Sequence, residues 1–198
     1  MIARVEADLE AAPLRWLVTG AAGFIGSHLV ERLLALGQSV VGLDNFSTGH
    51  RQNLPAEAAA AGWRFIEGDL RDPAACRAAC EGVDLVLHQA AVGSVPRSIE
   101  DPLRTHQSNV DGFLNILIAA RDAKVRRVVY SASSSAYGAQ ETLPHYENMP
   151  PNPMNPYALQ KFIGEQYCRQ FSNLYGLETV CLRYFNVYGL RMAAEGAY

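Results

Sequence analysis

The feature that most constrains this chain is an alternation between two hydrophobic periods. Runs that are apolar throughout, such as 14–19 and 39–43, alternate with segments whose apolar residues recur at helical spacing, as at Ile25, Leu29 and Leu33. Apolar strands separated by helices predict a parallel sheet that is covered on both faces. Right-handed crossovers then give an α/β fold with a doubly wound parallel sheet.

The same alternation continues to the end of the sequence. Five prolines in 144–156 predict a long loop, because the proline ring removes backbone donors, and loops of that length often carry function. Further strands are predicted at 64–66, 84–88, 125–131 and 179–184, and further helices at 56–61, 73–80, 103–121 and 157–175.

Composition argues against several classes of protein. Lysine and arginine number 17 against 20 aspartates and glutamates, and a net charge of −3 disfavours a nucleic-acid binder. No run of about 18 apolar residues predicts a membrane span, and residues 1–13 lack the apolar core of a secretory signal. The four scattered cysteines fit neither a disulfide framework nor a metal site. We therefore expect a cytoplasmic globular protein without a metal and without a membrane or nucleic-acid partner.

Three glycines follow the first predicted strand and open the next helix, in the segment TGAAGFIG. Gly20 is expected to allow the tight turn, Gly23 the approach of a pyrophosphate, and Gly26 close packing of helix and sheet. Asp44, at the end of the second strand, is expected to bind an adenosine ribose and to repel a 2′-phosphate. The context predicts a Rossmann-like site that prefers NAD to NADP. A glycine-rich turn without a ligand is the alternative.

Tyr157 and Lys161 are four residues apart at the start of a predicted helix, so both side chains share one face. A free phenol titrates at about 10. A cation about 5 Å away, at an effective dielectric constant of about 20, stabilises a phenolate by roughly 3 kcal/mol, or about two pK units. Tyr157 is therefore a candidate proton acceptor. A tyrosine and a lysine at this spacing are usually a surface pair when nothing else accompanies them. The argument for a catalytic pair rests on the segment SASSSAYG at 131–138, which lies at the end of a predicted strand.

These segments together resemble the extended short-chain dehydrogenase/reductase family, in the branch that acts on nucleotide sugars. The resemblance covers 14–191 and implies NAD as the cofactor, with Ser133 relaying a substrate proton toward Tyr157. The cofactor-binding residues that it implies are Gly20, Gly23, Phe24, Ile25, Gly26, Asp44, Asn45, Asp69, Leu70, Gln89, Ala90, Ala91, Lys161 and Tyr184.

Ser134 and Ser135 indicate which reaction of that branch to expect. By resemblance, sugar-nucleotide dehydratases carry Asp-Glu at these two positions, and decarboxylases carry Glu in place of Ser135. Eliminating water needs a carboxyl acid and a base, whereas 4-epimerisation needs only a proton and a hydride exchanged at one carbon. The sequence favours a 4-epimerase. A dehydrogenase or reductase that releases NADH and a non-catalytic dinucleotide-binding module are the alternatives.

Two segments resemble UDP-N-acetylhexosamine 4-epimerases more closely than UDP-galactose epimerases: GSVPRSIEDP at 93–102 and LDNFSTGH at 43–50. The resemblance implies a UDP-sugar substrate and a place in polysaccharide biosynthesis. Asn109 is expected to support the site rather than to bind a ligand, and Arg97 is either a substrate contact or a surface charge. The substrate-binding residues that the resemblance implies are Ser94, Ser133, Ser134, Tyr157 and Asn186.

The resemblance also implies a domain organisation. Residues 1–13 are a helical extension, 14–185 the NAD-binding domain, and 186–198 the start of a substrate-binding lobe. Family members continue for more than half again this length, so most of that lobe is expected to be absent. Surplus apolar residues on the helices at 101–122 and 156–175 predict a homodimer through a four-helix contact, unless each helix has one wide buried stripe.

Overall fold

Six parallel strands form one sheet in the computed structural model, which describes residues 2–55, 62–140 and 143–192. The strands are β1 (Arg15–Thr19), β2 (Ser39–Asp44), β3 (Trp63–Glu67), β4 (Leu85–His88), β5 (Arg127–Ser133) and β6 (Glu178–Tyr184). Their order is β3-β2-β1-β4-β5-β6, which is the doubly wound order with its switch point between β1 and β4. The predicted fold class is confirmed. The predicted helix at 56–61 and the lobe residues 193–198 lie outside the described residues.

Helices cover both faces of this sheet. They are α1 (Ile2–Ala11), α2 (Phe24–Ala35), α3 (Pro73–Cys80), α4 (Val95–Glu100), α5 (Pro102–His106), α6 (Gly112–Asp122) and α7 (Pro156–Tyr175). One core cluster includes Val18 and Val30, and the other includes Leu17, Val86 and Ile116, all fully buried. Because neighbouring residues of β1 face opposite clusters, the strand is buried on both sides.

The predicted helix at 103–121 forms as one continuous helical segment, 102–122, which contains a π turn. A π-helical turn at Gln107–Asp111 separates α5 from α6, and α4 precedes them where no helix was predicted. Asp101 begins α5 by accepting a hydrogen bond from the amide of Arg104 at 3.0 Å. The predicted long helix is therefore present, and only the π turn within it was missed, since helical periodicity does not register an inserted residue.

Both termini of the described chain pack on the sheet domain. The fully buried Gln38 donates from Nε2 to the carbonyl of Leu9 at 2.9 Å, which ties α1 to the domain. At the other end His28 contacts the carbonyl of Leu190 at 2.9 Å, and Arg191 donates to the hydroxyl of Ser27 at 3.1 Å. The segment that follows β6 thus folds back onto α2. No helix of the described residues is long and apolar enough to cross a membrane.

The turn between β1 and α2 depends on glycine at position 26. A Cβ at Gly26 would overlap the carbonyl oxygen of Gly20 and lie 2.8 Å from its carbonyl carbon. Both are backbone atoms that cannot move without opening the turn. We expect Gly26→Ala to lower the free energy of unfolding by about 2–3 kcal/mol, measured by urea denaturation.

Gly93→Ala is the matched control, because a Cβ at Gly93 meets nothing within 4 Å and the residue has an ordinary φ. That variant should be neutral or slightly more stable. A Gly26→Ala protein as stable as the parent would contradict the packing argument.

Candidate active site

A cleft crosses the carboxyl ends of the strands at the switch point. It consists of two hollows of about 300 and 430 Å³, which we call the glycine hollow and the serine hollow. The glycine hollow is lined by the β1–α2 turn and the ends of β2, β3 and β4, and the serine hollow by the ends of β5 and β6 and the start of α7. The residues that line both hollows are Phe24, Ile25, Gln89, Ala91 and Gly93, so the cleft is continuous.

The structure places nearly all the predicted site residues along this cleft. The glycine hollow holds the twelve predicted cofactor residues from Gly20 to Ala91, and the serine hollow holds Lys161 and Tyr184. Ser94 is the exception, since its hydroxyl accepts a hydrogen bond from the amide of Arg97 at the start of α4. The predicted substrate residues that line the serine hollow are Ser133, Ser134, Tyr157 and Asn186.

The first turn of α2 can bind an anion. The amides of a first helical turn have no acceptor within the helix, and Gly23, at the N-cap position, has no side chain that could accept from them. Phe24 and Ile25, the first two residues of α2, line both hollows. Backbone N–H groups and the helix dipole therefore favour a diphosphate at this point.

Asp44 both lines the glycine hollow and holds the glycine turn. Its Oδ2 accepts from the amide of Ala22 at 2.9 Å, and its Oδ1 accepts from the amide of Phe46 at 2.8 Å. A carboxylate offers about four acceptor positions, so two remain for ribose hydroxyls. Sequence reasoning found the position of Asp44 in the cleft but missed its contacts with the turn.

Asp69 stays ionised beside the same hollow. It accepts from the side-chain Nδ2 of Asn45 at 2.8 Å and from the Nη2 of Arg71 at 2.7 Å. These hydrogen bonds, that of Arg71 above all, hold the pKa of Asp69 well below its usual range. The carboxylate thereby fixes Asn45 at the edge of the cleft.

Lys161 is a buried cation at the floor of the serine hollow. Only 4% of its surface is exposed, and its Nζ donates to the carbonyl of Ser131 at 2.8 Å. The same Nζ lies 5.1 Å from the ring centre of Tyr130, within the range of a cation–π contact. Burial lowers the pKa of Lys161 to about 8. The ammonium is therefore predominantly protonated at pH 7, on the side of α7 where Tyr157 also lines the hollow.

Hydroxyl groups rather than carboxylates line the serine hollow beside Tyr157 and Lys161. The hydroxyl of Ser133 lies 3.0 Å from that of Ser135 and accepts from the amide of Ser135 at 3.1 Å. None of the described residues that line the serine hollow is an aspartate or a glutamate. The hollow thus lacks the carboxyl acid that a dehydration needs.

A group of buried polar side chains supports the start of α7. The hydroxyl of Ser98 accepts from the amide of Tyr157 at 3.1 Å. Asn109 donates to Gln160 at 2.8 Å and accepts from the amide of Val92 at 2.8 Å. Asn109 is therefore a supporting residue, as predicted. Sequence reasoning missed Ser98 and Gln160, because their partners are distant in the chain.

His88 sits beneath the cleft without reaching it. Its ring is fully buried between Phe113 and Tyr130, and its Nδ1 lies 3.0 Å from the hydroxyl of Thr19. Burial, together with the charge of Lys161, lowers the pKa of His88 to about 3, so the ring stays neutral. Its contribution is to packing. The described residues contain no group of three metal-ligating side chains that could hold an ion.

A tyrosine and a buried lysine at one end of a cleft whose other end is a glycine turn define the short-chain dehydrogenase/reductase class. The model of the NAD dependent epimerase/dehydratase family matches residues 16–197, and the chain belongs to that family. The resemblance inferred from the motifs is confirmed at this level.

Three relatives illustrate the match. The UDP-glucose 4-epimerase of Mycolicibacterium smegmatis is 43% identical over 185 residues, which is 92% of this chain and 59% of the relative. The UDP-N-acetylglucosamine 4-epimerase of Methanobrevibacter ruminantium, solved with UDP-N-acetylmuramic acid, matches with a TM-score of 0.88 at 38% identity. The alignment covers 94% of this chain and 59% of the relative. The UDP-glucose 4-epimerase of Thermus thermophilus, solved with NAD, matches with a TM-score of 0.85 at 43% identity. That alignment covers 92% of this chain and 58% of the relative. This chain spans about three-fifths of the length of these relatives.

The burial of Lys161 predicts a pH dependence of stability. Between about pH 8 and the ordinary lysine value of 10.5, the unfolded chain binds a proton that the folded chain has released. Stability contributed by this group therefore rises with pH across that window. We expect the parent to gain about 2 kcal/mol relative to Lys161→Met between about pH 8 and about pH 10, measured by denaturant unfolding.

Lys124→Met is the matched control, since Lys124 is exposed. Its unfolding free energy should follow that of the parent across the window. Parallel pH curves for the parent and Lys161→Met would show that the ammonium is not desolvated.

Proposed function

We propose that the chain is the cofactor-binding and catalytic part of an NAD-dependent UDP-sugar 4-epimerase. The observation that carries this proposal is the serine hollow, whose described lining includes Tyr157 and the buried Lys161 but no aspartate or glutamate. Bound NAD would supply the acceptance and return of a hydride at sugar C4. Everything else in the reaction is positioning and proton transfer, which this cleft supports.

The glycine hollow would bind most of the dinucleotide. The first amides of α2, at Phe24 and Ile25, would hold the diphosphate. The carboxylate of Asp44 would accept hydrogen bonds from the adenosine ribose, and its charge would oppose a 2′-phosphate, so NAD is preferred to NADP. The residues assigned to the adenine side are Asn45, Asp69 and Leu70, those along the middle are Gln89, Ala90 and Ala91, and those at the nicotinamide end are Lys161 and Tyr184.

Residues of the serine hollow would transfer the proton of the sugar hydroxyl. The phenolate of Tyr157, stabilised by the ammonium of Lys161, would accept the proton of the sugar 4-hydroxyl and become a phenol. The hydroxyl of Ser133 bridges the sugar hydroxyl and the phenol. Ser134 and Asn186 would contact the sugar and its diphosphate. Ser94 remains a candidate sugar contact, because Gly93 and Val95 on either side of it line the hollow.

The substrate would be a UDP-hexosamine or a UDP-hexose. The segment 93–102 favours the pair UDP-N-acetylglucosamine and UDP-N-acetylgalactosamine, and the Methanobrevibacter relative is named for the first of these. The other two relatives are named for UDP-glucose. Both pairs of sugars are therefore candidate substrates. We place the protein in the cytoplasm, where nucleotide sugars and NAD are available.

Tyr157→Phe tests the proton acceptor. Because the relatives extend beyond this chain, activity is measured on a chimera in which residues 1–189 continue into the carboxyl-terminal part of the Thermus thermophilus relative. We expect the chimera to interconvert the 4-epimers without added reductant, and Tyr157→Phe to lower kcat at least 100-fold. NMR of the sugar anomeric protons follows the reaction for both substrate pairs.

Tyr167→Phe is the matched control, since Tyr167 lies on α7 but does not line the hollow. It should keep its activity, and both variants should keep bound NAD. Full activity in Tyr157→Phe would reject the assignment. Stoichiometric release of NADH with either substrate would identify a dehydrogenase instead.

Exposed apolar residues on α5 and α7 support a homodimer. Leu103 is 66% exposed and Leu159 is 48% exposed, although Phe171, also an apolar residue of α7, is buried within the protomer. We propose that the helices at 101–122 and 156–175 of two copies form a four-helix contact.

The double variant Leu103→Glu with Leu159→Glu should sediment as a monomer at concentrations at which the parent is a dimer, because charges would be buried without partners. Leu143→Glu, at an 80% exposed leucine outside these helices, is the control and should leave the mass unchanged. Analytical ultracentrifugation distinguishes the outcomes. A monomeric parent chain would contradict the proposed contact.

A further inference from the structure

The glycine turn is held by part of the loop that follows β2. This loop, residues 45–53, follows β2 and ends in a single 3₁₀ turn, Arg51–Asn53. Its first half lines the glycine hollow at Asn45, Ser47 and Thr48. Its second half does not line the hollow and instead contacts the β1–α2 turn at Ala22.

The loop contacts the turn at one carbonyl group, that of Ala22. The carbonyl of Ala22 accepts from the amide of His50 at 3.0 Å and from the side-chain Nδ2 of Asn53 at 2.9 Å. The amide of Ala22 donates to Asp44 at 2.9 Å. The loop approaches so closely that a Cβ at Gly49 would lie 2.8 Å from the carbonyl carbon of Ala22. Ala22 is thus fixed at both its N–H and its C=O.

Asn53 has the geometry of a positioning residue. It is 8% exposed, and its Nδ2 is the one side-chain donor on the Ala22 carbonyl among the described residues. Ala22 lies one residue before Gly23, the N-cap of α2, so the orientation of its peptide determines where the first amides of α2 point. Asn53 itself does not line either hollow.

We propose that Asn53 positions the glycine turn for the diphosphate of the dinucleotide, acting through the carbonyl of Ala22. The inference rests on the proposed cofactor site and is independent of the epimerase reaction. Asp44 contacts Ala22 and is also assigned to the ribose, so it affects both affinity and cofactor choice. Asn53 acts on the turn alone and affects affinity for anything that carries the diphosphate.

The test is the affinity of the full chain for four probes: ADP, adenosine, NAD and NADP. Asn53→Asp replaces the donor with an oxygen that faces the Ala22 carbonyl. We expect its affinity for ADP and NAD to fall about tenfold, or about 1.4 kcal/mol. Adenosine affinity should stay within about twofold, and the ratio of NAD to NADP affinity should not change. Calorimetry measures the nucleotides, and an NMR titration measures adenosine.

Gln52→Glu is the matched control, because it makes the same change from amide to acid at an exposed neighbouring residue. Its affinities should match those of the parent, which separates the loss of the hydrogen bond from the added charge. Asn53→Ala removes the donor without adding charge and should lose about threefold for ADP. Asp44→Asn, in contrast, should change the ratio of NAD to NADP affinity.

Thermal unfolding of every variant separates positioning from simple stability. If Asn53→Asp and Asn53→Ala unfold at lower temperature but keep the parent's ratio of ADP to adenosine affinity, the role is structural only and the inference is wrong. Unchanged ADP affinity in both variants also rejects it. A parent chain that binds no NAD would contradict the proposed function itself and the inference with it.

Discussion

Close backbone packing at the β1–α2 turn is the constraint on which the rest of the structure depends. A Cβ at Gly26 would overlap the carbonyl of Gly20, and a Cβ at Gly20 would lie 2.8 Å from the amide nitrogen of Ala90, in the turn after β4. The glycine turn therefore packs against its own helix and against the next strand end at once. This contact sets the width of the crevice at the switch point, where doubly wound sheets bind their ligands.

The end of the cleft that holds Tyr157 and Lys161 depends on a different kind of interaction. Tyr157 and Lys161 owe their placement to buried polar side chains, since Ser98 satisfies an amide in the first turn of α7 and Gln160 pairs with Asn109. Buried hydrogen bonds of this kind contribute little net stability, but they specify one arrangement, because leaving a partner unpaired is costly. The segment that precedes α5 is thereby fixed to the helix that carries the phenol and the ammonium.

Sequence reasoning predicted the sheet and most of the cleft for a physical reason. Strands buried on both faces are apolar throughout, and residues at their carboxyl ends meet along one edge, so Asp44, Gln89 and Ser133 could be placed from position alone. The same reasoning missed α4, because Pro96 suggests a break although proline is favoured in a first helical turn. It also missed Asn53 and Ser98, whose partners are backbone groups far away in the sequence and leave no local pattern.

Family membership by itself does not determine the reaction, since the family includes both epimerases and dehydratases. The distinction lies in which groups near the sugar can exchange protons. Around Ser133 and Ser135 the described lining offers hydroxyls, the phenols of Tyr157 and Tyr184 and one ammonium, but no carboxyl group. Hydroxyls and a phenolate can pass a single proton to and from a sugar hydroxyl, yet none of them is acidic enough to protonate a leaving hydroxyl group. The described lining therefore supplies the groups that pass one proton to and from a sugar hydroxyl, which is what the proposed 4-epimerisation requires.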